Sequence, residues 1–347
     1  MFASVEVIPY ALPFRRTYRT STGEIDQREM VLLRLTATDG LVGLGEAVPL
    51  TLRGGAALAT VVKDLRDWAA AIQTGREEPT GPMTAPARCA IETAIADIAA
   101  RREGLPLHAF LGQPEARPIK CNATIGADDP AVAASDAAEW AADGFSSFKL
   151  KAGTGDEDIL RVAATRQAVG SRARIRIDAN GAWSVDQASE ILQRLAEFDI
   201  ELVEQPVSSL DAMAELKAKL GIPVIADESV SNAFEAEQAA SIGACDGATV
   251  KLSKIGTLDP SLGGHLPVYL SSALDGPVGI AAAAHVAQTL PEEGPLSDVA
   301  QGLATARLFS ATIASSDAQL DGDLLRVPSG HGLGIEIDEK ALDRLRL

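Results

Sequence analysis

From about residue 118 onward, short apolar segments alternate with amphipathic stretches, and this alternation restricts the fold more than any other feature of the chain. The apolar segments read IKCNATI, FSSFKLK, RIRID, IELVEQP, PVIADES, GATVKL and PVYLSSA, with a weaker one near Asp298–Thr305. Between them, residues 131–143, 157–169, 184–197 and 232–242 have helical spacing. Eight strand candidates with interposed helices predict a parallel sheet closed into a (β/α) barrel, since each parallel pair needs a crossover that a helix can supply. One unit is thin. Residues 252–266 (LSKIGTLDPSLGGHL) contain Pro260 and paired glycines and hardly hold a full helix.

In such a barrel the C-terminal ends of the strands carry the chemistry. Here those ends hold Lys149 and Lys151, then Asp178, Glu204, Asp227 and Lys251, with Lys151 and its successors 23–27 residues apart. That is one ionisable group per strand–helix unit. Strand side chains alternate faces, so Lys149 and Lys151 point the same way, as do Arg176 and Asp178. Three inward carboxylates repel one another unless a cation sits among them. An oxygen-only set suits a hard ion, Mg²⁺ first and Mn²⁺ as a substitute. The plain alternative pairs each carboxylate with a lysine or uses it to cap the next helix. A lysine beside Mg²⁺ has its ammonium form disfavoured and can serve as a base; the plain alternative is a solvated strand-end charge.

The first hundred residues have a different texture. Glu29–Thr38 (EMVLLRLTAT) and LVGLGEA are strand runs joined by Asp39-Gly40, a hairpin signal. Residues 57–73 and 85–103 show helical spacing, the second ended by Gly104. The net charge of −17 argues against a nucleic-acid partner, and makes any convergence of basic groups on one pocket stand out. No apolar run reaches the roughly eighteen residues of a membrane span. The segment MFASVEVIPYALPF has no basic stretch followed by an apolar one, so no signal peptide is expected. Three widely spaced cysteines, Cys89, Cys121 and Cys245, make no disulfide framework and fit a reducing cytoplasm.

The motifs Lys149-Leu150-Lys151, Asp178-Ala179-Asn180, Glu204-Gln205-Pro206, Asp227-Glu228-Ser229 and Lys251-Leu252-Ser253-Lys254, with GLGEAVP and ARCAIETAIADIAARREGLPL upstream, resemble the enolase superfamily and its muconate-lactonising-enzyme subgroup. The resemblance implies a (β/α)7β-type TIM barrel over residues 116–315, an α+β capping domain over 1–115, and a segment 316–347 returning to that domain. It implies that Asp178, Glu204 and Asp227 bind Mg²⁺. Lys151 and Lys251 would face the substrate α-carbon from opposite sides, with Lys149 supporting Lys151. Thr20-Ser21 matches the loop that closes over substrate; an ordinary hairpin tip is the alternative.

Within the subgroup, dipeptide epimerases carry an Asp-x-Asp at the end of the eighth barrel strand. Here Asp321-Gly322-Asp323 lies beyond that point and reads as a hairpin turn, while Gly302-Leu303-Ala304-Thr305 fits the strand end and holds no carboxylate. YLSSALDGPVG with Gly302 and Leu303 looks like o-succinylbenzoate synthase, where Ser271 and Ser272 and a glycine-bearing helix start would meet a carboxylate. Asn180 and Arg176 complete the expected substrate contacts. The implied reaction is a Mg²⁺-dependent syn-dehydration of a cyclohexadiene carboxylate, a step toward menaquinone. Three alternatives stand beside it: a dipeptide or N-acyl amino acid epimerase or racemase, a muconate cycloisomerase, and a non-catalytic barrel binding an anion at the KAGTG turn. The expected partner is a small carboxylate substrate, with no membrane and with a homo-oligomer left open.

Overall fold

The computed structural model describes residues 2–20, 23–49, 51, 54–74, 81–126 and 129–347. Its first unit is an antiparallel sheet of β1 (Phe2–Thr20), β2 (Gly23–Ala37) and β3 (Val42–Ala47), in that order. The Asp39-Gly40 turn joins β2 to β3, with Gly40 at φ 85°. Two helices, α1 (Leu58–Gln73) and α2 (Ala85–Glu103), cover one face; α2 stops where Gly104 turns left-handed at φ 69°. Alternate residues of β2 therefore serve two cores. Val31, Leu33 and Leu35 pack with Val61, Leu65, Trp68 and Ala94 under the helices, whereas Met30 and Leu32 join the core continuous with the barrel. Gly45 permits the closest approach: a Cβ there would lie 1.9 Å from the Ala90 carbonyl of α2. Short α3 (Leu107–Phe110) and β4 (Ile119–Lys120) lead onward.

The barrel then runs β5 (Ala123–Ile125), α4 (Pro130–Ala142), β6 (Ser147–Lys151), α5 (Asp156–Val169), β7 (Arg174–Asp178), α6 (Val185–Leu195), β8 (Ile200–Glu204) and α7 (Leu210–Lys217). It continues through β9 (Val224–Ala226), α8 (Ala233–Ser241), β10 (Gly247–Val250), α9 (Leu252–Ile255), β11 (Val268–Leu270) and α10 (Pro277–Val286). The strands β5 to β11 form one parallel sheet in sequence order. Side-chain caps at Asp129, Ser184, Ser209 and Asn232 start α4, α6, α7 and α8, so loops reach the helices already turned. As the short segment 252–266 requires, the sixth helix α9 is a single turn, and α2 of the first unit packs against it.

The sheet closes through two residues. Gln301 bridges Cys121 and Gly302 bridges Ser271; the Gln301 amide donates to Lys120 at 2.7 Å and the Gly302 amide to Leu270 at 2.8 Å. The eighth strand is thus a two-residue seam. After it, β12 (Ala314–Ser316) pairs with β15 (Glu336–Ile337), and β13 (Gln319–Asp321) forms a hairpin with β14 (Leu324–Arg326). Within this segment β14 pairs antiparallel with β4. Gly332 bridges Pro106, the Leu333 amide donates to Asp97 of α2 at 2.8 Å, and the last helix, α11 (Glu339–Leu345), also reaches the first unit. It packs on β1, and Glu339 pairs with Arg34 at 2.6 Å. Among the described residues no helix is long and apolar enough to cross a membrane, and all three cysteines are free and buried.

Candidate active site

Parallel pairing sets the level of the site. Lys151 lies in register with Asp178, and Asp178 with Glu204, so three successive strands deliver charge at one height. Asp227 follows β9 and Lys251 follows β10 at the same end of the sheet. Lys149, Lys151, Asp178, Glu204, Asp227 and Lys251 are all buried, none more than 5% exposed. Burying so much charge is a poor route to stability, because desolvation offsets most of the attraction. Such a cluster at the strand ends of a barrel points to chemistry instead.

The contacts form one network. Lys149 Nζ donates to both Glu204 oxygens at 2.7 Å and reaches Asp178 Oδ2 at 2.9 Å. Lys151 Nζ donates to Asp178 Oδ2 at 2.6 Å and to Asn180 Oδ1 at 3.1 Å. Lys251 donates to Asp227 Oδ2, and Lys254 to the Asp227 carbonyl and, at 3.1 Å, to Oδ1. Asn180, left-handed at φ 50°, turns its amide nitrogen to Glu228 Oε1 at 2.9 Å. Gln205 ties the strand ends together by accepting from the Asp227 amide at 2.8 Å and donating to Val207 O at 2.8 Å.

The electrostatics follow from this packing. Burial and then the neighbouring carboxylate of Asp178 push Glu204 above the usual glutamate value, with the lysines acting in the opposite sense. Burial disfavours the Lys149 ammonium, but the Asp178 and Glu204 carboxylates outweigh it and hold that pKa well above the ordinary lysine range.

The three carboxylates offer a hard, oxygen-only donor set from adjacent strands, which fits Mg²⁺ in kind. They are not a ready-made cage. Among the described residues no group of three or more His, Cys, Asp or Glu has metal-holding geometry, and the lysine ammonium groups lie between the oxygens. Both plain readings of the sequence, lysine pairing and a shared carboxylate site, thus meet in one cluster.

Several expected substrate contacts are engaged elsewhere. Arg176 points inward like Asp178 but one layer deeper. It is fully buried, donates to Glu201 and the Ala300 carbonyl, and has its guanidinium carbon 5.6 Å from the centre of the Tyr269 ring. Both backbone groups of Gly302 are used in closing the barrel, and Leu303 is wholly buried in the core. The Ser271 amide bonds Val250 O, and Ser272 Oγ accepts from the Asp275 amide and from Thr305, both at 2.8 Å. The start of α10, expected to meet a substrate carboxylate, is filled by Glu46 of β3, which accepts from the Gly276 and Val278 amides. The KAGTG turn is likewise filled: Asp158 accepts from the Gly153, Thr154 and Gly155 amides at 3.0 Å each, so no phosphate cradle remains. Thr20 ends β1 opposite Gly23; Ser21 lies outside the described residues.

Three participants carried no sequence-based role: Tyr269, whose hydroxyl donates to Glu204 Oε2 at 2.7 Å, Lys254 and Gln205. Tyr269 could have been found from alternation, since it stands two residues before Ser271 in β11. Beside the first barrel strand, a cavity of about 350 Å³ is lined by Arg15, Arg16, Arg19, Thr124 and Arg307. Asp136 and Glu139 line it as well, and Arg16 pairs with Asp136 at 2.6 Å; Thr124 is the register partner of Lys149.

Known proteins share this arrangement of cap and barrel. The family described as Mandelate racemase / muconate lactonizing enzyme, N-terminal domain, matches residues 3–112, and that described as Enolase C-terminal domain-like matches 132–341. The D-Ala-D/L-Ala epimerase of Cytophaga hutchinsonii is 31% identical over 83% of each chain. The o-succinylbenzoate synthase of Thermobifida fusca is 36% identical over 59% of this chain and 66% of its own. The solved structure of a dipeptide epimerase from Cytophaga hutchinsonii, complexed with Mg and the dipeptide D-Ala-L-Val, superposes with a TM-score of 0.87 at 28% identity, covering 99% of this chain and 98% of that one. With both halves matched and the strand-end carboxylates and lysines at their expected level, the chain belongs to the enolase superfamily, in its muconate-lactonising branch.

Proposed function

We propose that the chain is a Mg²⁺-dependent o-succinylbenzoate synthase, removing water from a cyclohexadiene carboxylate. One observation carries the choice over a dipeptide epimerase. Asp321 and Asp323, the acids that could clamp a substrate ammonium, sit in the β13–β14 hairpin: Asp323 accepts from Ser146 Oγ at 2.9 Å, just before β6 begins. At about 3.3 Å per residue, that is a strand's length, about 16 Å, from Lys151 at the other end of β6. The seam residues Gly302–Thr305 offer no carboxylate in their place.

The bound cation would supply positive charge to the substrate carboxylate, with Asp178, Glu204 and Asp227 as its ligands. Lys151 removes the α-proton and, as the ammonium so formed, returns a proton to the hydroxyl leaving from the same face. Water departs and the ring becomes aromatic. Lys251 lies four strands from Lys151 in the ring, facing it across the mouth. Its ammonium stabilises the negative charge that develops on the enediolate. Asn180 and Lys149 hold Lys151 and Asp178 in position.

A second reading, a two-base epimerase, is favoured by the same opposed lysines and by the more extensive match to the Cytophaga enzyme. A direct comparison separates the two. The cyclohexadiene substrate and a panel of dipeptides and N-acyl amino acids are assayed with Mg²⁺. Release of o-succinylbenzoate without racemisation of the panel is expected. Deuterium uptake from D₂O at an amino acid α-carbon, with no dehydration, overturns the proposal.

A further inference from the structure

We propose that Tyr269 is a positioning residue for the cation site, fixing Glu204 so that Oε1, and not Oε2, is presented to a divalent ion. The proposal rests on reading the strand-end carboxylates as that site.

Tyr269 comes from β11 and Glu204 from β8, so the phenol spans the barrel interior to reach a carboxylate three strands away. The ring is 1% exposed and lies against Arg176, which Glu201 and Ala300 O hold in place, leaving little freedom to turn. A carboxylate has about four lone-pair positions, two on each oxygen. On Oε2, Tyr269 and Lys149 occupy both, at 2.7 Å each. On Oε1, Lys149 occupies one. The remaining acceptor position of Glu204 is therefore on Oε1.

The chemistry of the donor matters as much as its place. Lys149, Lys151, Lys251 and Lys254 also donate to Asp178, Glu204 or Asp227, and a lysine orients a carboxylate while cancelling the charge that attracts a cation. A phenol orients without cancelling. Tyr269 can keep its bond to Oε2 after a cation arrives, whereas an ammonium at the same spot would compete with it. Groups that orient a metal ligand in this way typically change metal affinity by about 10–100-fold when removed.

The test uses full-length protein stripped of metal with EDTA and titrated with Mg²⁺ in a calorimeter, and with Mn²⁺ while free Mn²⁺ is counted by EPR. Tyr269→Phe keeps the ring and is expected to raise the Kd for both ions by about tenfold or more, with the metal-free melting temperature little changed. A ring that only fills space would leave the Kd alone. If Glu204→Gln abolishes Mg²⁺ binding while Tyr269→Phe stays within about twofold of the parent, the role of Tyr269 is wrong and the site stands. If Glu204→Gln binds Mg²⁺ like the parent, the reading of the site itself fails. Should Tyr269→Phe not fold, tyrosine ring-¹³C labelling of the parent decides the matter, with the signal assigned through Tyr10→Phe and Tyr18→Phe. Mg²⁺ must shift the Tyr269 resonance, and an unmoved resonance overturns the proposal.

Discussion

Glu46 on β3 of the cap accepts a hydrogen bond from the Gly276 amide of the barrel at 2.7 Å, and so supplies the N-terminal cap of α10 from another domain. Tyr10 of β1 donates to the other oxygen at 2.8 Å, while Arg28 of β2 donates to the Ala273 carbonyl beside it. All three cap strands thus grip the loop between β11 and α10. Helix N-termini favour negative charge, yet here burial, followed by the nearby Asp275 carboxylate, raises Glu46 to about 7.

This gives a pH dependence of definite sign. The folded-state value lies above the ordinary 4.5, so between these limits the native state keeps a proton that the unfolded chain has released. The resulting stabilisation is complete below about pH 4.5 and is lost as the pH rises through about 7. At 1.36 kcal/mol per unit its ceiling is about 3 kcal/mol. Urea unfolding between pH 5 and 8 should show stability falling in the parent and a flatter profile in Glu46→Gln, by about 1–3 kcal/mol. Some slope remains, because Asp275 is raised by the same burial. Parallel profiles for the two proteins would mean that Glu46 is ionised throughout.

The turn after β6 should depend on one side chain. Asp158 is fully buried, accepts three backbone amides at 3.0 Å, and pairs with the equally buried Arg161 at 2.7 Å. Asp158→Ala leaves those amides without their acceptor and removes the buried countercharge of Arg161, which keeps only neutral acceptors such as Lys151 O and Thr154 Oγ1, so a loss of about 3–5 kcal/mol in urea is expected. A loss under about 1 kcal/mol would show that water replaces the carboxylate without penalty.

Which of these features a reader of the sequence can see follows from their range. The ladder from Lys151 to Lys251 is legible because each strand–helix unit has nearly constant length and brings one strand end round to the same level. Face is legible too, but depth is not. Alternation correctly puts Arg176 on the side of Asp178, yet nothing local says that two residues earlier means one layer below the site. The eighth strand carries no pattern because two residues are too few to alternate. Tyr269 meets Glu204 across 65 residues and Glu46 meets Gly276 across 230, so both contacts depend on barrel closure and domain docking rather than on any motif. The same reason defeats the expectation of a free α10 N-terminus: its occupant belongs to the other domain.

The hairpin acids give a test of specificity. Asp321 pairs with Arg326 at 3.0 Å on the surface, and Asp323 bonds Ser146 beneath the barrel. The double change Asp321→Asn with Asp323→Asn should leave kcat/KM for the cyclohexadiene within a few-fold of the parent. A loss of a hundredfold, about 2.7 kcal/mol, would place these acids at the substrate after all and favour the epimerase.

The division of labour between Lys151 and Lys251 decides the reaction. Each is about 3% exposed and bound to a different carboxylate, Asp178 for one and Asp227 for the other, on opposite sides of the ring. A syn-dehydration needs one base, because proton removal and hydroxyl protonation share a face. Lys151→Ala should then abolish turnover. Lys251→Arg keeps the positive charge but cannot readily accept a proton, so it should retain measurable dehydration. An epimerase needs both lysines, one for each stereoisomer. There Lys251→Arg should still exchange the α-proton of one isomer with D₂O while interconversion stops. Stereospecific exchange on an amino acid derivative, with no action on the cyclohexadiene, would therefore make the chain an epimerase with its superfamily unchanged.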